Sequence, residues 1–223
     1  MGIILGYLCA ICFILLAGKA ITHRCHFTKL DKVLMRLHKP LSAVMLVLSI
    51  VHFIVVIPVL QTRSMLVNLS GIAMLVVVIL LIGLCHMIKQ REKRMWWHRC
   101  LTIVIAVLLV GHIVTYFMDF AAYHQKIASI EIEEVDVSQI ADGIYEGEYD
   151  AGYIYAKVQV EVKAGKIVSL SLLEHRNERG KPAEVILDEV MEKQQIDVDA
   201  VSGATNSSKV IKQAITNALK VEG

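Results

Sequence analysis

Cysteine is absent from the second half of this 223-residue chain, so residues 121–223 contain no disulfide framework. All five cysteines lie within the first 100 residues, and Cys9 and Cys12, a CxxC pattern inside an apolar run, are expected to be small packing residues. The net charge is only +2 and no basic stripe with interleaved aromatic residues occurs, which argues against nucleic-acid binding. No G-x-G-x-x-G follows a strand pattern, so the sequence predicts no NAD(P)H site.

Long apolar runs are present, but only in the first 120 residues, whereas residues 121–223 have the charge content and alternation of a soluble domain. A helix needs about 20 apolar residues to cross a bilayer. Four runs meet or nearly meet this length: 3–20, 41–60, 66–88 and 101–120. The sequence therefore predicts a bundle of four transmembrane helices over residues 1–120, a linker over 121–139 and a small α+β domain over 140–223.

The Lys and Arg residues between the apolar runs predict how the chain crosses the membrane. Residues 19–39 contain six of them and residues 89–99 contain five, whereas the link between the second and third runs carries only Arg63. Loops rich in Lys and Arg stay in the cytoplasm, so both termini and the C-terminal domain are predicted to be extracytoplasmic. Tyr123, just beyond the fourth run, suits the outer membrane interface.

Histidine recurs at one spacing in two of the predicted helices. His38 and His52 are 14 residues apart at the second run, and His98 and His112 are 14 apart at the fourth. Fourteen residues fall about 40° short of four helical turns and rise about 21 Å, so each pair shares a face and spans most of the hydrocarbon thickness. The two helices would present two levels of facing imidazoles, His38 with His98 near the cytoplasm and His52 with His112 towards the outside. Each level suits a b-type haem iron; the alternatives are isolated helix histidines and a transition-metal channel.

The segments RLHKPLSAVMLVLSIVH and WHRCLTIVIAVLLVGH resemble the haem-binding helices of the ferric reductase-like transmembrane family, which includes NADPH oxidases. The resemblance covers roughly residues 30–118 and implies two haems, an inner one on His38 and His98 and an outer one on His52 and His112. This sequence differs from the family in having four predicted spans instead of the usual six, and in lacking cytoplasmic flavin and NAD(P)H domains. A membrane quinol or a cytoplasmic reductase is therefore the expected electron donor.

Near the C-terminus, the segment DVDAVSGATNSSKVI places small and polar residues ahead of a helical pattern. Alternating residues over 142–175 predict strands, and AEVILDEVMEKQQ and SSKVIKQAITNALK predict two amphipathic helices. Thr205 lies just before the last helix, with Asn206, Ser207 and Ser208 as capping candidates. A helix N-terminus offers free backbone N–H groups, so a phosphate-bearing ligand is expected beside Thr205; the alternative is an ordinary helix cap.

Residues 140–221 resemble the FMN-binding domain family, which also supplies the covalent-flavin subunits of Rnf-type complexes and sodium-pumping NADH:quinone reductases. In that family a dedicated flavin transferase joins FMN through its phosphate to the last hydroxyl residue of a D-x-x-[ST]-G-A-[TS] motif, which implies covalent FMN on Thr205. Many members have E-T-P-G after the third strand, where this chain has RNERG. The resemblance implies further cofactor contacts at Asp199, Ser202, Gly203, Ala204, Ser207 and Ser208.

Together, the two resemblances predict a membrane oxidoreductase that carries electrons outward through two b-type haems to a covalently bound FMN and on to an extracytoplasmic acceptor. The expected location is a bacterial cell membrane, crossed four times. One alternative is an electron-carrying subunit of a larger membrane redox complex, with no substrate of its own. Another is a metal-binding flavoprotein sensor or transporter, which would contain no haem.

Overall fold

The computed structural model describes residues 2–220 and divides the chain into two compact units, Met1–Phe117 and Met118–Gly223. The predicted fold class is confirmed, since four long apolar helices precede a small α+β domain. Short 3-10 helices cover Ile57–Thr62, Val137–Gln139 and Lys181–Val185. The longer elements are α1 (Gly2–Arg24), α2 (Thr28–Val56), α3 (Met65–Met87), α4 (Arg91–Ala128), β1 (Gly143–Asp150), β2 (Tyr155–Lys163), β3 (Lys166–Arg176), α5 (Ile186–Lys193) and α6 (Thr205–Lys220).

Each helix of the first unit is long and apolar enough to cross a membrane. The helices outrun the apolar segments of the sequence, and α4 reaches 38 residues by including the basic turns before the fourth run and the polar turns after it. Hydropathy marks only the apolar part of a helix, whereas the backbone hydrogen bonds continue into charged turns. A small buried cluster takes one residue from each helix: Cys12, Met45, Val78 and Ile105. Cys12 thus has the packing role expected of it.

The sheet of the second unit is an antiparallel meander in the order β1-β2-β3. Ala164 and Gly165 form the two-residue turn between β2 and β3, and both have positive φ, as a tight hairpin turn requires. The alternate side chains of β2 that face the helices are fully buried, including Val158, Val160 and Val162. A one-sided core of this kind follows from the period-two alternation of the sequence.

Helix α6 covers β1 and β2, and α5 lies beside β3. The face of α6 that meets the sheet is buried to 1% exposure or less over about two turns, at Val210, Ile211, Ala214, Ile215 and Ala218. Those positions recur at three and four residues, which is the amphipathic helical pattern. The packing of α6 fixes its first residue, Thr205, at one edge of the domain.

Residues 121–139, which the sequence predicts as a linker, contribute buried side chains to the core of the second unit. These are Tyr123 and Ile127 from the final turns of α4, then Ile130 and Val137. Glu134, from the same stretch, accepts a hydrogen bond from the backbone N–H of Ile196 at 3.2 Å. The segment is therefore part of the fold around the candidate site.

Candidate functional site

The small-residue motif forms a tight turn that leads directly into α6. The N–H of Ala204 donates to the carbonyl of Val201 at 2.9 Å, and Gly203 has a φ of +78° in the third position of this turn. Glycine adopts positive φ without steric cost, so the turn explains that residue. Thr205 is the first residue of α6 and is exposed, as are Asp199 and Ser202 before it. The turn thus presents the Thr205 hydroxyl at the surface.

The N-terminus of α6 lacks a polar side-chain cap at the position before Thr205. The carbonyl of Ala204 accepts the first helical hydrogen bond from the N–H of Ser208 at 3.0 Å. The methyl side chain of Ala204 has no oxygen that could accept a hydrogen bond from the free N–H groups. The first N–H groups of a helix have no intrahelical acceptor, and their dipoles favour an anion. The expected caps are corrected here, since Asn206, Ser207 and Ser208 lie within the first turn of the helix.

Ser208 closes the turn from inside. Its hydroxyl accepts a hydrogen bond from the N–H of Val201 at 3.1 Å and lies 3.1 Å from the carbonyl of Ala204. It is completely buried, so its part in the site is to hold the shape of the turn.

Ser207 is the unusual residue of this turn. It is 1% exposed, and its hydroxyl has no hydrogen-bond partner among the described residues. It packs against the backbone of Gly180 so closely that a Cβ built there would lie 1.7 Å from the Ser207 Oγ. A buried hydroxyl without a partner is costly and marks a place where a polar group of a ligand can bind.

The loop after β3 approaches the same region through Gly180. Its N–H donates to the side-chain oxygen of Asn177 at 2.8 Å, which shapes the RNERG segment. His175, at the end of β3, has its Nδ1 3.0 Å from a carboxylate oxygen of Glu184. The His175 side chain is 3% exposed, and its Nε2 has no hydrogen-bond partner within residues 2–220. A second buried polar atom is therefore left for a ligand group.

The segment before the turn is fastened to α6 by a buried lysine. The Nζ of Lys212 donates to the Asp197 carboxylate at 2.6 Å and to the carbonyl of Val198 at 2.8 Å. Lys212 is 5% exposed, so the carbonyl depends on this amine for its hydrogen bond. The lysine thereby holds the backbone that leads to Asp199.

The first turn of α6 is also joined to the final turns of α4. The side-chain amide of Asn206 donates to the hydroxyl oxygen of Tyr123 at 2.8 Å. The Tyr123 ring stacks on that of Tyr153, with centroids 4.7 Å apart and planes 12° from parallel. The sequence predicts Tyr123 at the outer membrane interface, whereas in the structure Tyr123 is 8% exposed because it packs in the core of the second unit. Only the tertiary fold brings Asn206 and Tyr123 together.

These residues fit the phosphate group of an FMN. Thr205 supplies an exposed hydroxyl, the uncapped N–H groups of α6 supply donors for phosphate oxygens, and Ser207 supplies a buried hydroxyl beside them. Gly203 leaves the approach open, because no atom lies within 4 Å of a Cβ built on it. The fit concerns the phosphate end of FMN; the ring has the orphan nitrogen of His175 as a candidate partner.

Three of the four paired histidines in the first unit use Nδ1 for a local contact. His52 Nδ1 lies 2.9 Å from the carbonyl oxygen of Gly2, and His112 Nδ1 lies 2.9 Å from the hydroxyl of Ser70. His98 Nδ1 lies 3.7 Å from the sulfur of Cys85. An imidazole held at Nδ1 has its Nε2 left for a metal, which is the usual arrangement of histidine ligands.

The inner pair is brought together directly, since the rings of His38 and His98 have centroids 5.9 Å apart. A glycine of a neighbouring helix lies beside each of His52 and His112. A Cβ built on Gly6 would lie 3.4 Å from Cε1 of His52, and one built on Gly71 would lie 3.2 Å from Cε1 of His112. Among residues 2–220 there is no group of three or more His, Cys, Asp or Glu side chains that could hold a metal ion. His38 and His98 would supply two imidazole donors to a haem iron.

Comparison with known proteins identifies one part of the chain. No curated protein and no solved structure matches the chain. Residues 151–220 match the family model of the FMN-binding domain. The matched stretch contains β2, β3, the Thr205 turn and α6. The second unit therefore contains an FMN-binding domain, which supports a flavin-based electron-transfer role for the chain.

Proposed function

We propose that this protein is a membrane oxidoreductase that moves electrons outward to an FMN joined to Thr205. Electrons would enter from a quinol or a cytoplasmic reductase, pass through two b-type haems, and leave the flavin for an extracytoplasmic acceptor. The match of residues 151–220 to the FMN-binding domain carries the proposal, and the exposed Thr205 at an uncapped helix start supports the attachment point. The FMN supplies chemistry that couples one-electron and two-electron steps.

The attachment is a phosphoester between Thr205 Oγ and the flavin phosphate. The hydroxyl loses its proton as the Oγ–P bond forms, and phosphorus loses the leaving group of an activated flavin nucleotide supplied by a flavin transferase. Exposure of Thr205 gives such an enzyme access, while Asp199 and Ser202 are exposed on the approach. The buried Ser208 would support the turn, and the buried Ser207 would offer its hydroxyl to a phosphate oxygen.

The test of the attachment site replaces hydroxyls one at a time in the full chain, produced together with a flavin transferase. Thr205→Ala should abolish flavin fluorescence of the denatured protein band, because no Oγ remains to bond phosphorus. Thr205→Ser should retain it, and Ser202→Ala, which removes the other exposed hydroxyl of the motif, should also retain it. Flavin that survives denaturation in Thr205→Ala would refute the assignment.

The haem proposal rests on the matched histidine pairs, the 5.9 Å approach of His38 to His98 and the Nδ1 contacts that leave Nε2 for iron. Reduced-minus-oxidised and pyridine haemochrome spectra of the purified chain should give about two b-type haems, one for each histidine level. His52→Ala or His112→Ala should each remove one haem, whereas His86→Ala, a histidine at the end of α3 outside both levels, should remove none. Haem-free protein from haem-replete cells would contradict the proposal.

The orientation proposal is supported by the distribution of Lys and Arg, which favours an extracytoplasmic location for the flavin domain and both termini. In intact cells, a membrane-impermeant thiol reagent should label a cysteine introduced at exposed Ser171 and should not label the native, exposed Cys25. Labelling of Cys25 alone would reverse the orientation. Reduction of an added acceptor by the purified chain and quinol would distinguish a complete oxidoreductase from an electron-carrying subunit.

A further inference from the structure

A side-chain hydrogen bond joins the final turns of α4 to the first turn of α6. The Asn206 amide donates to the Tyr123 hydroxyl at 2.8 Å, and Asn206 is the residue immediately after Thr205. Any movement of Asn206 along the helix axis therefore moves Thr205 with it. This contact adds a hydrogen bond to the packing of α6, next to the residue on which the proposed flavin is carried.

Tyr123 is itself held rigidly by the rings around it. It stacks on Tyr153, which is 7% exposed, and its ring centroid lies 5.3 Å from that of His124 on the same helix. Phe120 contacts both Tyr153 and His124, with centroid distances of 6.3 Å and 4.3 Å. Offset and edge-to-face ring pairs stabilise an aromatic cluster beyond the burial of its surface. A hydroxyl on such a platform has a defined position.

A second contact ties the same helical turns to the sheet. The Nζ of Lys126, one turn beyond Tyr123, donates to the carbonyl of Asp150 at 3.3 Å, and Ile127 is 6% exposed in the core. Lys126 and Ile127 thus anchor the end of α4 to the second unit without any help from Asn206. The additional contact between Tyr123 and Asn206 joins this anchored helix to the turn that carries Thr205.

We propose that Tyr123 and Asn206 are positioning residues for electron transfer: their hydrogen bond fixes Thr205 and its flavin on the end of α4. The inference rests on the proposed function, since it requires FMN on Thr205. A loosened flavin turn would leave the flavin attached but less well oriented, and flavin reduction would slow. Neither residue needs to contact the flavin ring for this effect.

The experiment compares Tyr123→Phe, Asn206→Ala and the double variant in the full chain with attached FMN. Tyr123→Phe keeps the ring stack and removes only the hydroxyl. Tyr145→Phe is the matched control, because the Tyr145 hydroxyl donates a bond of the same 2.8 Å length to Ala141, away from the motif. Two readouts are taken: the rate of flavin bleaching after mixing with a short-chain quinol, and the time-resolved fluorescence anisotropy of the flavin.

Each single variant should slow flavin reduction by about fivefold or more, as expected for a misplaced reacting group, with unchanged flavin content. The double variant should be no slower than the slower single variant, since both act through one bond. Flavin anisotropy should decay faster in all three variants and stay unchanged in Tyr145→Phe.

Rates and anisotropy within error of the wild type in both single variants would overturn the positioning role, as would additive effects in the double variant. Absence of covalent FMN from the wild-type protein is a different result, because it would refute the attachment proposal itself. If the wild-type protein carries FMN but no haem, anisotropy alone decides the positioning role.

Discussion

Replacement of Gly147 by alanine should destabilise the second unit strongly, because α6 crosses β1 at that residue. Gly147 pairs with Val158 in the sheet and is buried. A Cβ built on it would lie 2.3 Å from the backbone nitrogen of Ala218 and 2.4 Å from the carbonyl oxygen of Ala214. Ordinary van der Waals contact begins at 3.4 Å, so α6 would have to move away by roughly 1 Å.

The magnitude follows from which atoms collide. Both are backbone atoms of α6, so no side-chain rotation can relieve the contact. Overpacking a core costs about 1–3 kcal/mol, and we expect the upper end, about 3 kcal/mol, because the displaced helix carries much of the buried surface. The loss of unfolded-chain entropy in a Gly→Ala change offsets about 0.4–1 kcal/mol at most.

Amide hydrogen exchange of the full chain in detergent, followed by mass spectrometry, would measure the free energy of opening for α6 peptides. The matched control is Gly143→Ala on the same strand, where the nearest atoms belong to the movable Tyr145 side chain at 3.3 Å or more. We expect Gly143→Ala to stay within about 0.5 kcal/mol of the wild type. An unchanged opening free energy in Gly147→Ala would refute the close packing of α6 on β1.

Two further predictions concern charged and titrating groups of the second unit. Lys212→Met should lower the opening free energy of the 196–204 region by about 1–3 kcal/mol, because the Val198 carbonyl loses its buried donor; equal exchange in the variant would contradict this. The hydrogen bond from the Tyr155 hydroxyl to Glu148 raises the pKa of Tyr155 to about 12. Below pH 10 the phenol is neutral in both folded and unfolded chains, and between pH 10 and 12 only the unfolded chain ionises, so this contribution to stability is lost as pH rises through that window. In an absorbance titration, Tyr155→Phe should show one ionised tyrosine fewer than the wild type at pH 12 and above. The stability of this variant should also fall less steeply than that of the wild type from pH 10 to 12. Identical slopes of stability against pH in the two proteins would contradict the raised pKa.

The parts of the site that follow from local pattern were predictable from the sequence. The Asp199–Thr205 motif lies at a helix start as expected, because a turn with glycine at the positive-φ position depends only on neighbouring residues. The shared helix face of each histidine pair could also be predicted from the sequence, since a 14-residue spacing fixes it. Their Nδ1 partners, such as Ser70 for His112, come from other helices and have no signal in sequence spacing.

Long-range packing explains what the sequence did not reveal. Tyr123 follows an apolar run and therefore resembles an interfacial aromatic residue, yet its ring stacks on Tyr153, 30 positions later in the chain. Gly180 is the last residue of the RNERG segment, and in the structure its lack of a side chain makes room for Ser207. Such contacts depend on how β3, its following loop and α6 pack, and no local periodicity encodes that packing.

The motif around Thr205 divides into residues that build the turn and residues that remain free to act. Gly203 provides the positive φ, and Ala204 is 5% exposed and its carbonyl accepts the first helical hydrogen bond. Ser208 is completely buried, and its hydroxyl is bonded to the turn. Among the four hydroxyl residues of this segment, Ser202 and Thr205 are exposed, whereas Ser207 and Ser208 are buried. Of the two exposed residues, only Thr205 lies at the helix start, where the N–H dipoles converge. A phosphate attached to Ser202 would lie outside the first turn of α6 and would lose those donors. The geometry therefore favours the last residue of the motif for the proposed attachment, which the Thr205→Ser and Ser202→Ala pair tests directly.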